Sequence, residues 1–364
     1  LSMLKLIIVN SIVFILLIII LEFISRKRDN SLLVDINKQQ EKIKNYQNKL
    51  NVRRNIYGDS LIPSFVPSNF YHDTLIPLGS ISHFYTQFPN ENGSYPIYKN
   101  DRYGFNNNDQ NYDNTIEAVL IGDSFVHGCC VNQNENISSN LTSMGLNSIN
   151  LGAGDNSILS ELATYVEYAD KLNPKTIIWF YYEGNDFDGI PIEYTSKVLS
   201  KYYVDSHFNQ NLINRQKQIN NFILKNYKKK NNSLVLRLKK LSLYKRLKYH
   251  YVRLSSLNDQ KSKKVFFDVI KRISQDCKLK NRKFIFVYLP SWDRYYEKDI
   301  FNNRMLKKDV LNFLKINRIK YYDFSKKLTE NSSKPKDYFS IPRGHYNSIG
   351  YKKLSEEIFR IIKN

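Results

Sequence analysis

Cysteine is scarce: the 364 residues hold three, Cys129, Cys130 and Cys277. An odd number with two of them adjacent excludes a disulfide framework of the kind that holds small secreted domains together. No His/Cys spacing suggests zinc, so the sequence asks for no metal and no cofactor, and the redox compartment is not decided by cysteine. Acidic residues are few beside the basic ones, 34 Asp+Glu against 55 Lys+Arg, which leaves a formal net charge of +21. That excess points to an anionic partner such as anionic lipid, acidic polysaccharide or nucleic acid, or equally to compositional bias shown as solvated surface. A cleavage site is missing too. The apolar N-terminal run ends in Phe23-Ile24-Ser25-Arg26, which favours an uncleaved anchor over a removed signal peptide.

What is present divides the chain. Residues 6–21 are almost wholly Ile, Leu, Val and Phe, broken by Asn10 and Ser11, a length near the lower limit for a spanning helix. Residues 1–25 therefore read as a single-pass transmembrane anchor. Arg26, Lys27 and Arg28 follow the span and by themselves would hold the body in the cytoplasm. Residues 26–60 form a polar stalk, and residues 61–115 an irregular lead-in, rich in proline, glycine and aromatics, packed on the main domain.

From Ile116 onward short apolar strands alternate with helical periods. Strands are predicted at 118–121, 148–151, 176–182, 283–289 and 319–324, and helices at 158–172, 265–277, 305–316 and 348–362. Such alternation predicts an α/β domain over 116–364, a parallel sheet covered by helices on both faces. Residues 195–262 interrupt it as a basic helical insertion. Between Lys225 and Arg253 there are eleven Lys/Arg and no Asp or Glu, with leucines interleaved. This stretch is either a basic arm on anionic membrane or a solvated excursion with one buried face.

In an open parallel sheet, functional groups gather beyond the carboxyl ends of the strands. Here the first predicted strand ends in Gly122-Asp123-Ser124, the second in Asn150-Leu-Gly152-Ala-Gly154-Asp155-Asn156, and the third in Glu183-Gly184-Asn185-Asp186. Pro290-Ser-Trp292-Asp293-Arg294 follows the fourth, and Arg343-Gly344-His345-Tyr346-Asn347 precedes the last helix. Acyl transfer needs a nucleophile, a base, and donors placed where negative oxygen develops. Ser124, His345, and Gly154 with Asn185 supply those types. The Gly-x-Ser-x-Gly elbow of α/β-hydrolases is absent, because Val126 occupies its last place.

These four blocks, in this order and each after a strand, resemble the SGNH (GDSL-type) hydrolase superfamily. The resemblance covers roughly residues 116–364 and implies a flavodoxin-like three-layer α/β/α domain acting on esters. It implies Ser124 as nucleophile and His345 as base, with an oxyanion hole from the Ser124 N–H, the Gly154 N–H and the Asn185 amide. Asp101-Arg-Tyr103-Gly104-Phe105-Asn106 looks like a lead-in of membrane-tethered bacterial members. Gly58-Asp59-Ser60 repeats the tripeptide without a strand before it and reads as a decoy. Asp123 and Asp186 read as structural support, His127 as shaping the start of the helix after Ser124, and Cys129 and Cys130 as small core residues.

One departure stands out. The family places an aspartate two or three residues before its histidine, where this chain has Arg343 and Pro342. The expectation is a Ser-His dyad with a backbone carbonyl orienting His345, or a substitute acid in Asp337 or Asp293. The functional expectation is a membrane-tethered serine esterase or O-acyl hydrolase acting on surface carbohydrate or lipid-linked esters, with its domain outside the cytoplasm. The alternatives are a polysaccharide O-acetyltransferase using the same site and a non-catalytic glycan-binding or assembly protein. Nucleic-acid binding rests on charge alone.

Overall fold

Two sheets organise the structure, a computed structural model that describes residues 30–229, 259–296, 307–330 and 334–363 together with Val13, Leu16, Leu17 and Ile20. The smaller sheet is built from β1 (Leu61–Pro63), β2 (Tyr85–Gln87) and β3 (Ile97–Lys99), with β1 parallel and β3 antiparallel to the central β2. The lead-in expected to be irregular thus contains a sheet of its own. Its strands are only three residues long, too short for alternation to show against the surrounding prolines and aromatics.

The larger sheet holds β4 (Ala118–Ile121), β5 (Ser148–Asn150), β6 (Thr176–Tyr182), β7 (Lys283–Leu289) and β8 (Lys320–Asp323). Their order is β5-β4-β6-β7-β8, and every pair is parallel. Because both faces of this sheet are covered, β6 and β7 read as nearly unbroken apolar runs rather than alternating ones. Ala118, Leu120, Ile178, Phe180, Ile285 and Val287 pack on one face with Ile137 and Leu141 of helix Ile137–Ser143 and with Leu354 and Ile358 of helix Ser348–Lys363. On the opposite face Tyr181 and Phe286 meet Phe266 of helix Asp259–Leu279. Each fully buried Leu, Ile, Val or Phe among them contributes about 1.5–3 kcal/mol, and the result is three layers.

Counted within this sheet, the chain runs second, first, third, fourth, fifth from one edge. That order is flavodoxin-like and reverses between β4 and β6, which opens a crevice beyond their carboxyl ends. The first predicted helix, 158–172, is shorter than the sequence suggested. An α-helix covers Ile158–Thr164 and continues as a wider turn over Tyr165–Ala169, where the buried Glu167 side chain accepts from the Leu212 amide at 2.7 Å.

The chain divides into two compact units, one of residues 1–49 and 227–257, the other of residues 50–226 and 258–364. What is described of the first is helical. Among the described residues no helix is long and apolar enough to cross a membrane. The anchor expected at 6–21 lies outside the described residues except for Val13, Leu16, Leu17 and Ile20, and the basic stretch lies outside them from Lys230 to Arg253.

Candidate active site

Ser124 is set by the turn that ends β4. Asp123 caps the short helix Ser124–His127, its carboxylate accepting from the Phe125 amide at 2.9 Å. Gly128, at φ 82°, closes that helix in the left-handed region, which glycine enters without cost. The loop after β5 can approach only because Gly152 lacks a side chain: a Cβ there would lie 2.4 Å from the His127 backbone nitrogen. Asn150 ties the two loops, donating to the Val126 carbonyl at 2.6 Å and accepting from the Gly152 amide at 2.8 Å. Ser157 in turn donates to the Asp186 carbonyl, so the loops after β4, β5 and β6 are held as one surface. Gly154 lies in the second loop and Asn185, exposed, in the third.

His345 arrives from the other side. Phe339 and Tyr346 form an antiparallel bridge, and Ser340 N–H donates to the His345 carbonyl at 2.9 Å. The buried Tyr346 fixes that turn, its hydroxyl donating to the Pro290 carbonyl at 3.0 Å. Asn347 caps the last helix by accepting from the Gly350 amide at 2.9 Å. The imidazole lies with its ring centre 4.8 Å from that of Phe125, and its Nε2 is 2.8 Å from Ser124 Oγ.

The orienting acid is Glu91. Its Oε1 lies 2.9 Å from His345 Nδ1, and its Oε2 accepts from the His345 backbone N–H at 2.9 Å. With Nδ1–H donating to the carboxylate, Nε2 is left as the acceptor facing the serine. The pair is sheltered, Glu91 being 15% and His345 20% exposed. This replaces the expected dyad and both candidate substitutes. Asp293 is occupied by Arg343, whose Nε donates to it at 2.8 Å. Asp337 is exposed in a 3-10 turn, where its backbone carbonyl accepts from Asn347 at 2.8 Å. Glu91 reaches His345 across 254 residues of chain, from the loop between β2 and β3. Gly344 makes room for it: a Cβ at that position would stand 2.9 Å from Glu91 Oε2 and 2.5 Å from Ile341 Cγ1.

The supporting acids lie deeper than Glu91. Asp123 is wholly buried and its carboxyl is pushed up to about 6, by burial first, with His345 opposing. One of its oxygens is 3.2 Å from Ser124 Oγ, a second acceptor for the serine proton. Asp186 accepts from the Tyr182 amide at 2.7 Å, and burial together with Asp123 and Glu161 raises its pKa well above the usual carboxylate range. His127 is not at a helix start. It ends the short helix, buried, with Nε2 at 2.5 Å from the Tyr98 hydroxyl, and burial lowers its pKa to about 3. Cys129 and Cys130 lie in the core beside Phe88 and Tyr98 as expected, but they are bonded to each other.

Beyond the triad, Trp292 stacks on Tyr296 with ring centres 4.3 Å apart and meets Phe339 edge-on. Glu183, directly after β6, is buried under a fork from Arg294, which donates from Nε at 2.7 Å and 2.9 Å. It locks the loop after β7 rather than entering the site.

No protein-family model matches the chain, and no curated protein matches it. Solved structures do. Similar folds include a GDSL-like lipase from Bacteroides thetaiotaomicron, at 13% identity and TM-score 0.39 over 68% of this chain and 88% of that one. An acetyl xylan esterase matches at 14% identity and TM-score 0.38 over 68% of this chain and 99% of that one. A lipase/acylhydrolase from Enterococcus faecalis matches at 12% identity and TM-score 0.38 over 68% and 95%. At these values the likeness assigns no residue a role, so the chemistry has to be read from the site's own atoms.

Proposed function

We propose that the chain is a serine ester hydrolase working through an acyl-enzyme on Ser124. The observation that carries this reading is the unbroken relay of two 2.8–2.9 Å contacts, Ser124 Oγ to His345 Nε2 and His345 Nδ1 to Glu91. As Ser124 Oγ attacks an ester carbonyl, Nε2 takes its proton, and Glu91 faces the imidazolium that forms. The Ser124 and Gly154 amides with the Asn185 side chain are the proposed oxyanion donors. His345 then gives its proton to the departing alcohol. In the second half the same Nε2 takes a proton from water as the water oxygen attacks the acyl carbon, then returns it to Ser124 Oγ as the acyl–Oγ bond breaks and the acid leaves. Glu91 supplies the orienting carboxylate whose absence, together with the basic arm, motivated the non-catalytic reading.

The Trp292–Tyr296 stack, on the loop that carries Asp293 and through it Arg343, supports an ester-bearing carbohydrate or lipid-linked substrate. We place the domain on a single-pass tether outside the cytoplasm, which a phosphatase fusion at Asn364 tests by its activity. A fluorophosphonate probe tests the chemistry. Wild type should label and Ser124→Ala should not; an unlabelled wild type, or equal labelling of the variant, rejects the mechanism. Transfer of the acyl group to an added glycan acceptor instead of water would convert the hydrolase into an O-acetyltransferase.

A further inference from the structure

Behind the histidine, on the side away from Ser124, lies a second set of donors. Glu91, Cys129, Cys130 and His345 each bring one ligand atom, and the four atoms all lie within 4.8 Å of one another. We propose that, when the Cys129–Cys130 disulfide is reduced, these residues bind a thiophilic divalent cation of the zinc class, and that its binding switches Ser124 off. The consequence for Ser124 rests on the esterase reading above, whereas the binding does not.

The donor set is chemically selective. Two thiolates, an imidazole nitrogen and a carboxylate oxygen suit zinc, cadmium or cobalt(II) and not magnesium or calcium. Bonds of about 2.0–2.3 Å in a tetrahedral site place donors about 3.3–3.8 Å apart, so the widest pair has about 1–1.5 Å to close, while the two sulfurs, bonded to each other before reduction, and the Glu91–His345 pair at 2.9 Å have to part. The backbone that presents them is anchored. Tyr351 Oη donates to the Cys129 carbonyl at 2.7 Å, and Asn92 Nδ2 to the Cys130 carbonyl at 3.2 Å. Asn92 adjoins Glu91, so one loop both supplies a ligand and pins the cysteine pair.

In the disulfide neither sulfur is a thiolate, and the site does not exist. A phosphine reductant opens it with balanced chemistry. Phosphorus bonds to one sulfur as the S–S bond breaks, and the other sulfur leaves as a thiolate that takes a proton. Water then displaces the first sulfur, which leaves a second thiol and a phosphine oxide. The disulfide gains two electrons and the phosphorus loses two. A cation that binds displaces the two thiol protons. Coordination through Nδ1 leaves the neutral imidazole's proton on Nε2, which is 2.8 Å from Ser124 Oγ. That nitrogen can no longer accept the serine proton, and Glu91 is drawn to the metal.

The test uses full-length protein purified throughout in phosphine, with the two added thiols counted, beside an oxidised sample. Cobalt(II) alone is the probe. Expected are one cobalt per reduced chain, with thiolate charge-transfer and tetrahedral d–d absorption, and none of these in the oxidised sample or in Cys129→Ser/Cys130→Ser. His345→Ala should weaken binding in the reduced state, with folding checked by melting. Labelling of Ser124 by the fluorophosphonate should slow about 100-fold or more when zinc is added to the reduced protein. Each variant is compared with itself without metal. A pair that stays oxidised in excess phosphine, thiolate bands unchanged in His345→Ala, or full labelling in the zinc-loaded protein overturns the proposal. A protein that never labels removes the esterase reading instead, while the cobalt spectra still decide the site.

Discussion

Replacing Glu91 with Gln probes the orientation of His345 with almost no change in volume. In wild type both carboxylate oxygens accept, one from His345 Nδ1 and one from the His345 backbone N–H, each at 2.9 Å. A carboxamide has a single oxygen for those two donors. The backbone N–H cannot adapt, but the imidazole can. The oxygen settles on the backbone amide, the NH2 faces Nδ1, and Nδ1 becomes an acceptor with the ring proton moved to Nε2, opposite Ser124. Reaching the productive tautomer then sets two N–H groups against each other, at a cost of about 1–3 kcal/mol for an unmet buried donor. The lost charge-assisted bond to the imidazolium adds about 1.5–3 kcal/mol in the transition state. Together these predict a fall in kcat of about 10²–10⁴-fold with KM little changed. Hydrolysis of p-nitrophenyl acetate, with the pre-steady-state burst, measures it. Glu91→Asp, which keeps both oxygens but withdraws them by one methylene, should fall between the two. If Glu91→Gln retains its fold and turns over within a few-fold of wild type, Glu91 does not orient the base and the triad is wrongly assigned.

Three further outcomes follow from the same geometry. Gly344→Ala should lower kcat by about tenfold or more, because its Cβ meets Ile341 and the Glu91 oxygen and 1 Å of misplacement is expensive; an unchanged kcat would mean that Glu91 has room to spare. Asp293→Asn should change kcat by less than about fivefold, since its partner Arg343 is exposed and such pairs contribute about 0–1 kcal/mol; a large loss would restore Asp293 as a candidate orienter. Burial raises the Glu193 carboxyl from 4.5 to about 7, so its contribution to stability is complete below the unfolded value and is lost as pH climbs through the folded one. Thermal melts should therefore show the midpoint dropping between about pH 5 and pH 8, with a shallower drop in Glu193→Gln; identical slopes in the two proteins would contradict this.

What could be read in the sequence was whatever the strands announce. Apolar runs buried on both faces mark β4, β6 and β7 almost to the residue, and in a parallel sheet the residues just beyond them must face the crevice. Ser124 and Asn185 follow from that rule, and Gly58-Asp59-Ser60, in a 3-10 turn with no strand before it, is dismissed by it. Glu91 obeys no such rule. It sits in Asn90-Glu91-Asn92-Gly93-Ser94, a composition that a solvated turn would share, and the strands around it are three residues long. Its partner is 254 residues away, a pairing that no local periodicity encodes. The legible traces were indirect. Arg343 and Pro342 said that the acid is not where the fold usually keeps it. Gly344, which has no positive φ to justify a glycine, marks a spot where something approaches the histidine too closely for a Cβ. The cysteines repeat the lesson. No His/Cys spacing along the chain suggests zinc, because the donors of the proposed site come from positions 91, 129, 130 and 345. Spacing rules detect sites built within one element. This site is built between the lead-in and the sheet, so the lead-in is part of the catalytic unit. Removing residues 61–115 should abolish activity even where Ser124, Asn185 and His345 remain.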